Sequence, residues 1–115
     1  MNIHASFTTA LASATVAALL GLALPAQAQD VAAAEALAKK SNCMKCHSIS
    51  AKKEGPPFKE TAAKYKGKAD AEAKLITHLT TNPKIKVDGK EEEHDNLKTK
   101  NEAEVRNVVK WILAQ

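Results

Sequence analysis

The pattern of apolar and polar positions is helical in the last part of the chain. An apolar stripe with the spacing i, i+3, i+4 and i+7 is formed by Val105, Val108, Val109 and Ile112. Thr99 and Glu102 have the spacing of a capping box, which predicts that this helix begins just after Thr99. The segment therefore predicts an amphipathic helix with one buried face.

Three shorter helices are predicted upstream. Asp30 is placed to cap a first helix, whose apolar face consists of Val31, Ala34, Leu37 and Ala38. A second helix is predicted to begin at Phe58 and to close at Gly67. A third is predicted to be capped by Asp70 and to stop before Pro83.

Residues 84–98 are polar and charged and show no hydrophobic period, so they are predicted to form a loop. No strand, internal repeat or second domain is predicted. The pattern indicates an all-α fold of four or so short helices.

The N-terminal segment has the features of a secretory signal peptide, although no Lys or Arg precedes its apolar run. Residues 10–24 are largely apolar and are followed by Ala26-Gln27-Ala28, a small-x-small cleavage site. An uncleaved anchor is the competing interpretation, but the run is shorter than the roughly 20 residues that span a bilayer. We expect residues 1–28 to be removed and residues 29–115 to form one periplasmic domain without stable membrane insertion.

Two cysteines and a histidine form the candidate chemical site. The run Cys43-Met44-Lys45-Cys46-His47 has the spacing that attaches a c-type haem, because thiols about one helical turn apart can each form a thioether to the same porphyrin. His47 is then the expected ligand to the iron. The alternatives are a redox dithiol, which would need a βαβ context, and a zinc site, for which the chain lacks a third cysteine.

Charge and composition narrow the function further. The formal net charge is +4, and every Lys, Arg, Asp and Glu lies after residue 28. A basic domain favours an acidic protein partner, whereas nucleic acid is not expected because the basic residues are not interleaved with aromatics.

Few aromatic residues follow residue 28, so a large apolar cofactor would complete a thin core. No constellation of acid, base and nucleophile is visible, and an enzyme is not expected.

The chain resembles the small bacterial class I cytochromes c over residues 29–115. The shared marks are the haem motif, the Gly55-Pro56 pair that ends nine residues beyond His47, and the C-terminal segment 109–113 around Trp111. This resemblance implies a cytochrome c fold around one covalently bound haem c, with the first and last helices crossing beside it. It also implies that the Pro56 carbonyl accepts a hydrogen bond from the imidazole of His47.

The sequence departs from that family at the second face of the iron, where most members supply a methionine from the loop before the last helix. Only Met1 and Met44 are present, and Met44 lies between the two cysteines. His94 is the better candidate for this second ligand, although its charged surroundings are typical of a solvated loop. His78 is more simply a half-buried helix residue. An open site, Asn96 or a lysine amine are the remaining alternatives.

Two functions follow from this departure. In the first, the protein carries electrons between redox partner proteins on a haem held by His47 and His94, at a potential lowered by the absence of methionine. In the second, an open or labile iron site binds a small gaseous ligand, NO, CO or O₂. The resemblance favours the electron carrier.

Overall fold

Five helices and one two-stranded hairpin are formed by residues 29–115, the residues that the computed structural model describes. In chain order they are α1 (Val31–Lys40), α2 (Cys43–Cys46), α3 (Phe58–Tyr65), α4 (Ala71–Thr80), β1 (Lys84–Val87), β2 (Lys90–Glu93) and α5 (Glu102–Leu113). The predicted all-α class is confirmed. The predicted signal peptide, residues 1–28, lies outside the described residues.

Helix α5 lies at the centre of the fold and packs against α1, α3 and α4. All four residues of its predicted stripe are buried, and so is Trp111. Ala34 and Ala38 of α1 are also buried, and small side chains at both positions fit a close helix crossing. Reciprocal hydrogen bonds tie the start of α1 to α5. The Asp30 N–H donates to Asn107 Oδ1 (2.9 Å), and Asn107 Nδ2 donates to the Asp30 carbonyl (2.7 Å).

Two of the three predicted N-terminal helix caps are not formed as predicted. Asp30 caps α1 as predicted, with its carboxylate accepting a backbone N–H of the first turn at 2.9 Å. Asp70 precedes α4, but its carboxylate pairs with Lys74 at 2.7 Å and makes no capping bond. The cap of α5 is Asn101 rather than Thr99, because the helix begins one residue after Asn101 and its Oδ1 accepts a first-turn N–H at 2.9 Å.

The segment predicted as a loop contains an antiparallel hairpin, which corrects that expectation. Strands β1 and β2 pair in a register that begins with Lys84 opposite Glu93. The turn is Asp88-Gly89, with φ values of 49° and 78°, and positive φ at both turn residues is the type I′ geometry that Asp-Gly favours. The loop prediction is wrong because β2 is exposed along its whole length and therefore carries no hydrophobic period.

Candidate haem site

The predicted site residues line one cleft of about 590 Å³. They come from the haem motif, the loop before α3, helix α4 and the segment after β2: Cys43, Cys46, His47, Pro56, His78 and His94. The volume lies in the range of small-molecule and cofactor sites, about 300–1,000 Å³. A larger groove of about 760 Å³ lies beside the start of α5, but its lining contains neither cysteine nor histidine. The metal-binding and thiol chemistry is therefore concentrated in the smaller cleft.

The haem motif folds into a single helical turn with both cysteines on the cleft. Asn42 precedes this turn in a left-handed backbone conformation, with φ of 62°, which asparagine adopts more readily than most residues. Neither cysteine forms a disulfide. Burial raises the pKa of the Cys43 thiol, and a hydrogen bond from Cys46 Sγ to Glu54 at 3.3 Å raises the pKa of the Cys46 thiol. Both sulfurs thus lie beside the cleft, and the neutral thiol is the favoured form before a haem is attached.

Three contacts hold the ring of His47. Its Nδ1 lies 2.7 Å from the Pro56 carbonyl oxygen. Because a carbonyl oxygen can only accept, Nδ1 carries the proton and Nε2 of the neutral ring keeps a free lone pair. Phe58 stacks on the ring, with centroids 5.2 Å apart and planes inclined at 18°. Gly55 lies so close that a Cβ built there would be 2.5 Å from His47 Cε1. The ring is therefore fixed with one nitrogen available to a metal.

His94 brings a second imidazole close to His47. The two ring centroids are 6.1 Å apart, and the ring planes are inclined at 54°. His94 is half-buried, and its Nδ1 is buried without a hydrogen-bond partner among residues 29–115. Burial lowers the pKa of His94, His47 lowers it further, and Asp95 acts in the opposite direction. The neutral form, which is the form that binds metals, is therefore favoured.

The structure places His78 against His94. Their ring centroids are 4.2 Å apart, and the planes are inclined at 51°. Burial lowers the pKa of His78, and the neighbouring His94 and His47 lower it further. His78 thus adds a second neutral ring beside His94. The glutamates of β2, which precede His94 in the chain, are exposed. The charged sequence around His94 does not make it a solvated loop residue.

The separation of the His47 and His94 rings is compatible with one metal ion between them. Imidazole nitrogens bind first-row metals at about 2 Å, which places the centroids of two rings on opposite sides of one ion about 6 Å apart. The observed separation is 6.1 Å. With Cys43 and Cys46 on the same cleft as His47, these residues fit a covalently attached haem.

The side chain of Asn96, the weak-ligand alternative, forms hydrogen bonds with Asn82 and Thr80. Its Oδ1 accepts a hydrogen bond from the Asn82 N–H at 2.7 Å. Its Nδ2 donates to the Thr80 carbonyl at 3.0 Å and to Asn82 Oδ1 at 2.7 Å. The structure therefore does not support Asn96 as a ligand.

Part of the cleft lining is not predicted from the sequence. Ile85 and Val87 line the cleft from β1, in a segment expected to be a loop. The Asp-Gly pair at 88–89 beside these alternating apolar residues is the signal that indicates a hairpin. Phe58 is recognised only as a helix residue, and no local pattern indicates its stacking on His47.

Known proteins are similar to this chain in sequence and in fold. The Cytochrome c family model matches residues 31–115. Cytochrome c-551 of Stutzerimonas stutzeri is 38% identical over 90 residues, which cover 78% of this chain and 81% of that protein. Cytochrome c-551 of Pseudomonas aeruginosa is 37% identical over 81 residues, 70% of this chain and 75% of that protein. The crystal structure of Class 1 cytochrome MtoD from Sideroxydans lithotrophicus ES-1 matches with a TM-score of 0.72 and 52% identity, over 76% of this chain and 97% of that one.

The fold and the cleft together define a small class I c-type cytochrome. The chain belongs to the cytochrome c family. It is an electron-transfer haem protein, and its cofactor is one covalently bound haem c. The predicted class of protein and the predicted cofactor are confirmed.

Proposed function

We propose that this cytochrome is a periplasmic one-electron carrier whose haem iron is bound by His47 on one face and by His94 on the other. The observation that carries the proposal is the 6.1 Å separation of the two rings. His94 lies in the segment before the last helix, where the family's methionine would stand. No methionine follows residue 44, so an imidazole is the strong ligand that the chain offers there.

Each site residue has a distinct role in this proposal. Cys43 and Cys46 hold the cofactor in the cleft through two thioethers. Haem c supplies a one-electron Fe(III)/Fe(II) couple. His47 would ligate through Nε2, while the Pro56 carbonyl accepts a hydrogen bond from Nδ1 at 2.7 Å. That bond fixes the tautomer and the orientation of the ring and makes the ligand nitrogen more basic.

Two resident imidazoles favour electron transfer over the binding of a gas. His47 is held by Phe58 and Gly55. His94 packs against His78. If both imidazoles bind the iron, no coordination position would remain for NO, CO or O₂. We therefore propose a carrier, rather than a gas-binding protein or an enzyme.

The proposed location depends on the N-terminal segment. We propose that residues 1–28 are a cleaved signal peptide and that residues 29–115 are the monohaem domain in the periplasm. Between residues 29 and 115, no helix is long and apolar enough to cross a membrane.

The charge along the cleft refines the expected redox partner. Five carboxylates are among its lining residues: Glu54, Glu60, Glu92, Glu93 and Asp95. Lys64 and Lys86 are the two lysines in the described lining, so the local charge is negative although the whole chain carries +4. We propose that the partner presents basic groups to the cleft. The acidic partner predicted from the net charge would instead contact the lysine-bearing surface outside the cleft.

Absorption spectra of the ferric and ferrous protein, produced with its signal peptide in a host that attaches haem c, test the ligation. We expect a low-spin ferric spectrum at neutral pH without a methionine-to-iron charge-transfer band. His94→Ala should be high-spin and should bind CO readily when reduced, whereas His78→Ala, the matched control, should stay low-spin. A wild type that is high-spin at neutral pH would favour the gas-binding alternative, and a low-spin His94→Ala would place the ligand elsewhere.

A further inference from the structure

Two asparagines join the segments on either side of the hairpin. The side chain of Asn96 accepts from the Asn82 N–H at 2.7 Å and donates to Asn82 Oδ1 at 2.7 Å. It also donates to the Thr80 carbonyl at 3.0 Å. In turn, Asn82 Nδ2 donates to the His94 carbonyl at 3.1 Å. We call Asn82 and Asn96, with these four hydrogen bonds, the asparagine clamp.

Backbone hydrogen bonds place the clamp directly beside His94. The His94 N–H donates to the Pro83 carbonyl at 2.8 Å, and the Leu97 N–H donates to the Leu79 carbonyl at 2.9 Å. Asn82 has a left-handed backbone, with φ of 47°, a conformation that asparagine and glycine adopt more readily than other residues. Both backbone polar groups of His94 are thus tied to the segment that precedes β1.

The imidazole of His94 has few other polar restraints. Its buried Nδ1 finds no hydrogen-bond partner in the described part of the chain. The strand that it follows, β2, is exposed at every residue. Apart from its packing against His78, the position of this ring relative to His47 therefore depends on the backbone at residue 94, which the clamp holds.

We propose that Asn82 and Asn96 are positioning residues that keep His94 on the iron and so control how easily an external ligand enters. This rests on the proposed ligation by His94. An external ligand can bind only when the resident imidazole leaves, and the imidazole can leave only if its loop opens locally. Breaking the clamp should make this opening more frequent without changing either imidazole.

Ligand entry into haem-loaded variants tests the clamp. Asn96→Ala removes three of the four clamp bonds, and Asn82→Gly removes the side-chain bonds of Asn82 while keeping a residue that tolerates the left-handed backbone. Asn107→Ala is the matched control, because it also loses side-chain to backbone hydrogen bonds, at the contact of α1 with α5. The measurements are CO binding to the reduced protein, cyanide binding to the ferric protein, and thermal unfolding.

Both clamp variants should bind CO and cyanide about tenfold faster or more, since each loses hydrogen bonds that favour the closed loop. Asn107→Ala should bind both at the wild-type rate, even though it unfolds at a lower temperature. Clamp variants that lose stability like Asn107→Ala but bind at wild-type rates would overturn the proposal.

The variant His94→Ala separates the two proposals. If it is high-spin while the clamp variants bind ligands at wild-type rates, the clamp proposal fails and His94 ligation stands. If it remains low-spin, ligation by His94 is wrong, and the clamp proposal fails with it.

Discussion

The imidazole rings of His47 and His94 lie 6.1 Å apart, although α3, α4 and the hairpin separate them in the chain. The two rings are held by different kinds of contact. His47 is positioned by residues that follow closely in sequence, Gly55, Pro56 and Phe58. His94 is positioned by the asparagine clamp and by backbone bonds across the base of the hairpin. One half of the proposed iron site is therefore built locally and the other half by tertiary structure.

Removing both cysteines should abolish covalent attachment. Wild-type protein should keep its haem through acid-acetone extraction, whereas Cys43→Ala/Cys46→Ala should lose it because no thioether remains. The double variant should also be less stable, since the bound cofactor completes a thin core. The two single variants are the controls and should retain haem through the remaining sulfur. Haem that resists extraction from the double variant would contradict this assignment.

Gly55→Ala should displace the ring of His47. The new Cβ would lie 2.5 Å from Cε1 and 2.8 Å from Nδ1, so the ring must shift and its hydrogen bond to Pro56 must weaken. Such overpacking typically costs about 1–3 kcal/mol. We expect a lower unfolding temperature, a changed reduction potential and an altered ferric spectrum.

Gly67→Ala is the control for this effect. It introduces strain because its φ is +74°, but its Cβ would meet no atom within 4 Å. Its stability should fall while its potential and spectrum stay unchanged. If Gly55→Ala has the wild-type potential and spectrum, the close contact does not control the ligand.

His94→Met should give the site the ligation usual in this family. A methionine opposite a histidine raises the reduction potential of a c-type haem, so voltammetry should show an increase on the order of 100 mV. The ferric spectrum should also gain the charge-transfer band that the wild type lacks. His78→Met, on the neighbouring helix, should show neither change. A potential that does not respond to His94→Met would indicate that residue 94 does not bind the iron.

Stability should fall as the pH drops below about 6.5. Burial lowers the pKa of His78, which is not proposed to bind the iron. A histidine whose folded-state pKa lies below its unfolded value binds fewer protons when folded. The free energy of unfolding is therefore unaffected well above the unfolded value and decreases as the pH falls through it. Thermal unfolding at about pH 7.5 and about pH 5 measures this loss.

His78→Gln is the informative variant for this pH dependence. It removes the titrating ring that is not proposed to bind the iron, so it should lose less stability than the wild type between the two pH values. Equal losses in both proteins would show that His78 does not contribute.

Neutralising the cleft carboxylates should change the preference for charged electron acceptors. Glu54→Gln/Glu92→Gln should slow electron transfer to hexaammineruthenium(III), a cation, and speed transfer to ferricyanide, an anion, by about twofold or more at low salt. The effect should diminish as salt screens the charges. Glu35→Gln, on α1 and outside the described lining of the cleft, is the control. Equal rates in all three proteins would contradict an acidic docking face.

The helices and the haem motif could be predicted from the sequence because each depends on residues within a few positions of one another. The apolar stripe of α5 is buried as its period predicts, and Asp30 caps α1 within a single turn. The cytochrome c family and its haem c follow from the motif and from the short segments around Pro56 and Trp111. These features depend on the spacing of nearby residues, so they can be predicted without knowing how the helices pack.

The hairpin has a local signal in the Asp88-Gly89 turn beside β1, whereas the position of His94 is decided by tertiary structure. Strand β2 is exposed and pairs with β1 through backbone bonds, so its sequence has no hydrophobic period to reveal it. The sequence makes His94 a candidate for the second iron ligand only because no methionine is present in this segment. Its 6.1 Å approach to His47 depends on Asn82 and Asn96 closing the base of the hairpin beside α4. Contacts between segments so far apart in the chain form only when the helices have packed, and no short-range pattern encodes them.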